Sequence, residues 1–282
     1  MSDRTWLVTG ASRGLGRALV EIVLEAGDRV VGTARDAGSL DDLVDKYGRD
    51  RLLARDLDVT DREAVLAVTN EVAAETGRID VLVANAGYGL AGGVEEVTED
   101  EARRQVEVNL FGALWSLQAV LPTMRAQRRG HLLPISSVGG VGAFPNTGLY
   151  HATKWGLEGL SESLAQEVEP FGIKVTIVEP GPFRTDWNGG SMVRATPMHA
   201  YDDVLGPRRQ AMDGSQAFTQ PGDPRRAGEA MLRVVDADEP PRRLLLGETA
   251  ADLAPRLWQQ RIDEASAWRD LAVGADFPSD EG

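Results

Sequence analysis

Short apolar runs alternate with longer stretches of helical spacing through the first two thirds of the chain. Trp6–Val8, Val30–Val31, Leu52–Val59, Ile79–Ala84, Leu132–Ser136 and Lys174–Val178 read as strands. Between them, Leu15, Leu19, Ile22, Val23 and Ala26 mark one helical face, and Val65, Val68 and Val72 mark another. Thr98 followed by Glu101 predicts a capping box at a helix start. Strands alternating with helices imply right-handed crossovers and a parallel sheet covered on both faces. No internal repeat, charge block or low-complexity linker breaks the pattern, so residues 1–282 read as a single domain.

The pattern loosens at Asn188. Residues 188–220 are rich in Gly, Pro, Ser and Met and are the least periodic part of the chain. Asp223-Pro224 then predicts a helix start, with Asp as cap and Pro in the first turn. Arg243–Gly247 fits a last short strand, residues 250–271 look helical, and 276–282 reads as a frayed end.

Composition narrows the function classes. The chain has no cysteine, which excludes disulfides, thiolate metal sites and a thiol nucleophile. With 44 acidic and 30 basic side chains, the net charge is −14. That argues against nucleic acid or a membrane surface as partner, because phosphate contacts need a basic face. No apolar run approaches the roughly 18 residues that span a bilayer, and the start of the chain lacks a signal-peptide pattern. A cytoplasmic protein is the expectation. Of the 30 basic residues only Lys46, Lys154 and Lys174 are lysines.

The first strand runs into Thr9-Gly10-Ala11-Ser12-Arg13-Gly14-Leu15-Gly16 and then the first amphipathic helix. Glycines here let the backbone turn tightly and approach a pyrophosphate, while the helix N-terminus offers free amides. The strand–loop–helix context makes this a nucleotide-binding loop rather than an ordinary turn. Tyr150 and Lys154 lie four apart and share a helix face. A free phenol, with a pKa of about 10, is a poor base at neutral pH. A neighbouring ammonium stabilises its ionised form.

Three residues separate the first two glycines, a spacing that resembles the short-chain dehydrogenase/reductase family. More of that family's motifs follow in order. Asn85-Ala86-Gly87 ends the fourth strand, Asn109 lies in the next helix, and Ser136-Ser137 ends the fifth strand. Tyr150-His151-Ala152-Thr153-Lys154 comes next, then Pro180-Gly181 and Thr185. The set covers residues 5 to 187. The resemblance implies an α/β fold: one doubly wound Rossmann-type domain with a central, mainly parallel, seven-stranded sheet flanked by helices.

It also implies roles. Tyr150 exchanges a proton with the carbonyl oxygen. Lys154 binds the nicotinamide ribose and lowers the Tyr150 pKa. Ser137 holds the substrate oxygen, with Ser136 the competing serine. Asn109 holds a water linking Lys154 to solvent. Gly10, Ser12, Arg13, Gly14, Leu15 and Gly16 would form the phosphate loop, and Asp58 and Val59 would flank the adenine. Asn85, Ala86 and Gly87 would line the cleft, with Pro180, Gly181, Phe183 and Thr185 at the nicotinamide end. Ala34 falls where NAD-preferring relatives carry an acid, with Arg35 next. Arg35 and Arg13 suit a 2′-phosphate and favour NADP(H) over NAD(H), with Asp36 as the competing ribose ligand. Asp58 can alternatively be a turn residue ahead of Thr60-Asp61.

The family pattern is departed from at Pro134 and Glu179, where relatives often carry Asn. Proline in a central strand predicts a local irregularity. Residues 188–220 sit where relatives carry a substrate lid. Tyr88, Phe144, Leu149, Phe183, Trp187, Met192 and Met198 could form an apolar, partly aromatic pocket for a ketone or alcohol. His131, His151 and His199 are scattered and read as structural or solvated, and no metal site is expected. Ala113, Leu114, Leu117, Leu157, Leu160 and Leu164 could form a homodimer or homotetramer face, or equally belong to the core. The leading expectation is an NADP-dependent carbonyl reductase or secondary-alcohol dehydrogenase. A dinucleotide-sensing regulator and an epimerase or dehydratase of the wider family are the alternatives.

Overall fold

Strand β1 (Thr5–Thr9) sorts its side chains into two cores. Trp6 and Val8 point one way and Leu7 the other, as strand alternation requires. The structure, a computed structural model, describes residues 4–212 and 220–277. Strands β2 (Arg29–Ala34), β3 (Leu52–Asp56) and β4 (Val81–Ala84) follow, then β5 (Gly89–Ala91) and β6 (Gly130–Pro134). The remainder are β7 (Ile173–Val175), β8 (Ile177–Pro180), β9 (Met192–Arg194) and β10 (Arg243–Leu246).

The main sheet is parallel, in the order β3-β2-β1-β4-β6-β7. Helix α1 (Gly14–Glu25) covers one face with Leu19, Val20 and Val23. The other face meets Val72 of α3 (Arg62–Thr76), which follows the short α2 (Asp41–Tyr47). Helix α4 (Glu99–Val106) begins with the expected Thr98–Glu101 capping box. Leu117 and Met124 of α5 (Gly112–Gln127) cover the same face as Val72. Past the four-residue α6 (Val138–Val141), Ala165 and Val168 of α7 (Gly148–Val168) complete that layer. Crossover helices thus bury both faces of the sheet.

The sheet contains six strands, not seven. The expected seventh, β10, pairs with β8 in a ladder of its own, and β8 meets β6 through a single bridge, Ile135 to Val178. Pro134 explains the break. Ile135 N donates to Ala84 O on one side and Ser136 N donates to Val178 O on the other. Alternation therefore turns the missing Pro134 donor toward the β7–β8 side. The ladder lapses there, and the expected strand Lys174–Val178 divides at Thr176. The third strand ends at Asp56, so Asp58 and Val59 lie in the turn beyond it.

The described residues 188–212 are more regular than the composition of 188–220 suggests. Strand β9 pairs with β5, and α8 (Asp202–Met212) follows. Residues 213–219, and the expected frayed end from 278 on, lie outside the described residues. Helix α9 (Pro224–Val235) starts as expected, with Asp223 accepting from Arg225 N at 2.9 Å. The helix expected over 250–271 is two, α10 (Glu248–Ala267) and α11 (Arg269–Val273), separated at Trp268. Of the proposed oligomer face, Ala113, Leu117 and Leu157 are already buried within the chain. No described helix is long and apolar enough to cross a membrane.

Candidate active site

The strand order reverses between β1 and β4, and a cleft of about 1350 Å³ opens at the C-terminal ends of the strands there. Its floor is the glycine loop. Gly10 and Gly14 have φ of +65° and +59°, backbone that favours glycine. A Cβ at Gly16 would sit 2.4 Å from the Gly10 carbonyl oxygen. Asn85 Nδ2 clamps the loop by donating to Thr9 O at 2.9 Å and Gly10 O at 3.0 Å. Thr9 Oγ1 accepts from the Asn85 and Ala86 amides in return. The loop delivers the N-terminus of α1 to the cleft with no side-chain cap and no acidic residue in its first turn. Those amides and their partial positive charge remain available to a phosphate.

Ser12, Arg13, Gly14 and Leu15 line the loop end of the cleft, and Arg35, Asp58 and Val59 line it beyond the ends of β2 and β3. Arg13 and Arg35 are exposed, and no contact ties either guanidinium down among the described residues. Asp36 behaves differently, since its Oδ1 accepts from Gly38 N at 3.0 Å and caps a turn. Asp58 also makes a turn, accepting from Thr60 N and Thr60 Oγ1 at 3.0 and 2.7 Å. Burial pushes its carboxyl up, but those bonds and the Arg104 charge outweigh it and hold the group below its usual value. Two expected site residues do not line the cleft: Gly16 packs beneath the loop, and Asn109 lies behind Tyr88.

Asn109 lies in a five-residue π-helical turn, Glu107–Phe111, between α4 and α5. Such turns mark functional positions in helices. Its side chain donates to Tyr88 O at 2.8 Å and accepts from Tyr88 N at 3.0 Å. The amide thus fixes the chain just after Asn85-Ala86-Gly87.

Tyr150 and Lys154 share one face of α7, and both are buried. Lys154 Nζ donates to Ile135 O at 2.7 Å and lies 5.8 Å from the Tyr150 ring centre. Ser137 Oγ accepts from Gly139 N at 3.0 Å, which caps α6, donates to Pro180 O at 3.5 Å, and stands beside the Tyr150 phenol, whose pKa it pulls down. Ser136 Oγ is buried without a partner, on the side of Gly140 and Glu158. Alternation has thus brought Ser137, and not its neighbour, to the phenol. Trp187 stands edge-on to Tyr150 at 5.3 Å, and His151 does so at 5.8 Å.

Burial sets the protonation of the pair. It pushes Tyr150 up to about 12, against a small downward pull from Ser137, and pulls Lys154 down to about 8 against the Glu158 charge. Burial outweighs the Ser137 hydrogen bond, so the protein alone holds the Tyr150 phenol protonated and ready to donate.

Sequence reasoning missed the layer beneath. Glu158 continues the Tyr150–Lys154 face by one more step of four. It bonds Arg243, which also bonds Glu179 and Glu162. The four-residue spacing was the available signal for Glu158; nothing marked Arg243. Of the proposed pocket, Tyr88, Phe144, Phe183 and Trp187 line the cleft. Leu149 does not, Met192 packs against Gly89 in the β5–β9 pairing, and Met198 is exposed. Arg208, Met212 and Leu253 line it without having been expected. The three histidines lie apart: His131 bonds Thr176, His151 bonds Gly139 O and Thr147, and His199 pairs with Asp202.

A nucleotide loop, a buried Tyr–Lys pair and a serine at one cleft define a dinucleotide-dependent oxidoreductase site on a doubly wound fold. The short chain dehydrogenase family profile matches residues 4–193, and the chain belongs to that family. It is 39% identical over 272 residues to the oxidoreductase BOA17 of Botryotinia fuckeliana, covering 96% of this chain and 99% of that one. It is 36% identical to the 3-ketodihydrosphingosine reductase of Bacteroides thetaiotaomicron, covering 88% and 89%. Among solved structures it resembles a short-chain dehydrogenase from Streptomyces avermitilis, with 45% identity, a TM-score of 0.91 and coverage of 98% and 100%. It also resembles an alcohol dehydrogenase from Thermococcus sibiricus complexed with 5-hydroxy-NADP, with 26% identity, a TM-score of 0.72 and coverage of 87% and 96%. The chain is thus an oxidoreductase of this family.

Proposed function

We propose that the protein is an NADP-dependent oxidoreductase that interconverts a ketone and a secondary alcohol, with Tyr150 as the proton donor and acceptor. The observation that carries this reading is the Tyr150 phenol, buried in the cleft between Ser137 and Trp187 with Lys154 one helical turn on. The glycine cradle and the uncapped start of α1 fit a dinucleotide pyrophosphate. The bound cofactor supplies or takes up hydride at the substrate carbon. Ser137 orients the substrate oxygen toward the phenol. Tyr150, protonated below about 12, gives its proton to that oxygen during reduction. Lys154 stabilises the phenolate left behind, and Asn109 fixes the wall beside it through Tyr88. Residues 188–220 act as a substrate lid, with Trp187 at its base. An absorbance assay with NADPH and a panel of apolar and aromatic ketones tests the reading. Cofactor binding without turnover would favour a regulator, and turnover without net nicotinamide oxidation an epimerase.

Two measurements refine it. Arg35 and Arg13 are free to hold a 2′-phosphate, while Asp36 is engaged with Gly38. Arg35→Glu is expected to lower kcat/KM with NADPH by about 10–100-fold, the worth of one charge-assisted bond, and to affect NADH far less. Equal losses with both cofactors would refute the assignment. The pH profile reports Lys154. Its ammonium is present below about 8 and lost above, while Tyr150 keeps its proton throughout. The kcat/KM for reduction should be flat to about pH 8 and then fall about tenfold per pH unit. A profile without a break between about pH 7 and 9 would count against it.

A further inference from the structure

Two consecutive arginines on α8 have different fates. Arg209 binds the buried carboxylate of Glu96 and reaches Asp202 at 3.3 Å. Arg208 faces the cleft and has no carboxylate among the described residues. Its Nε is buried with no acceptor, and its guanidinium lies over the Phe144 ring at 5.6 Å. Resting on the oxidoreductase reading above, the geometry points to Arg208 as the anchor for a carboxylate at the end of the substrate remote from its carbonyl.

An unmet buried donor is costly, and more so on a charged group. Many arginines of this acidic chain pair with a carboxylate, yet among the described residues Arg208 has none. Arg4, Arg17, Arg225 and Arg243 all sit beside carboxylates that raise their pKa against the pull of burial, whereas Arg208 is lowered by burial alone. A planar fork over an aromatic ring presents its edge for bidentate carboxylate binding. Arg208 contacts Phe144, Phe144 lies 5.5 Å from His151, and His151 lies 5.8 Å from Tyr150, so the arginine reaches the phenol only through a chain of ring contacts, while Ser137 and Trp187 flank the phenol itself. The substrate thus has its carbonyl at Tyr150 and its anion at Arg208, joined by a carbon linker whose length the experiment below reads. Phe144, Trp187, Met212 and Leu253 offer that linker an apolar wall. The cofactor phosphates are accounted for elsewhere, the pyrophosphate by the glycine loop and the 2′-phosphate by Arg13 and Arg35. The substrate class is an amphipathic keto acid or hydroxy acid, which sharpens the apolar ketone inferred from the aromatic lining.

The test uses aryl ketones bearing a terminal carboxylate on chains of increasing length, 5-oxo-5-phenylpentanoate among them, each beside its methyl ester. Wild-type enzyme should prefer the best acid over its ester by at least about tenfold in kcat/KM, mainly through KM. Arg208→Gln should bring that ratio to about one or below, and Arg208→Lys should keep part of it. Because each ratio compares two substrates in one preparation, partial misfolding cancels. A second arm measures binding of non-reactive 5-phenylpentanoate by calorimetry, expected to weaken at least about tenfold in Arg208→Gln. An acid-to-ester ratio near one at every chain length in the wild type, or acid binding unchanged by Arg208→Gln, overturns the assignment. If no ketone oxidises NADPH, the oxidoreductase reading fails, and the calorimetric arm still decides the anion anchor.

Discussion

Tyr150→Phe should lower the rate of ketone reduction by about 10³-fold or more and leave NADPH binding nearly unchanged. The substitution removes one oxygen. The ring keeps its edge-on contacts with Trp187 and His151, and Ser137 keeps the Gly139 amide that holds it in place. The phenol is neutral below about pH 12, so no charge is lost from the resting site. What disappears is the proton donor to the carbonyl oxygen. Positioned acids of this kind contribute about 10²–10⁴-fold, and the groups next to Tyr150 are otherwise engaged. Lys154 donates to Ile135 O, and the His151 nitrogens are taken by Thr147 and Gly139. Single-turnover kinetics separates the step from product release, and a fluorescence titration with NADPH checks the cofactor site. A rate within about tenfold of wild type would remove Tyr150 from its assigned role.

Much of this site is legible in the sequence, for a physical reason. Tyr150 and Lys154 must share one helix face, and Gly10, Gly14 and Gly16 must satisfy backbone and packing limits that only glycine meets. Such constraints act over a few residues and leave fixed spacings. The scarcity of lysine pointed the same way, since Lys154 proved to be buried beneath the phenol. Pro134 announced an irregularity, because a missing donor is visible in the residue type. Its consequence, the division of the neighbouring strand at Thr176, depended on which side alternation turned it. Contacts between distant segments left no such trace. Arg243 meets Glu158 and Glu179 across 85 and 64 positions of chain, and Arg208 enters the cleft from a stretch with little periodicity. Asn109 was found by position, while its bonding to the Tyr88 backbone had no signature at all.

The largest stability effect is expected at Arg243. Among the described residues its guanidinium alone bonds Glu158, Glu179 and Glu162 together, and Glu179 is fully buried. Arg243→Met keeps a long apolar stem but leaves two buried carboxyls without a cation. Breaking a buried pair in this way costs about 3–5 kcal/mol, or roughly 10 °C in unfolding midpoint for a domain of this size. Burial and the Glu158 charge already push Glu179 up to about 7 from 4.5, despite Arg243. A raised acid binds its proton more tightly in the folded state. Its stabilising contribution is complete below about pH 4.5 and is lost as the pH rises through about 7. Removing the cation moves that window upward, so the deficit of Arg243→Met should be larger at pH 8 than at pH 5.5. Adding Glu179→Gln removes one of the stranded charges and should recover part of the loss at pH 8 while changing little at the lower pH. Melting curves of the two variants and the wild type at both pH values supply the check. A deficit independent of pH, or one that Glu179→Gln deepens, would mean that Arg243 serves as packing and not as the counter-ion of this layer.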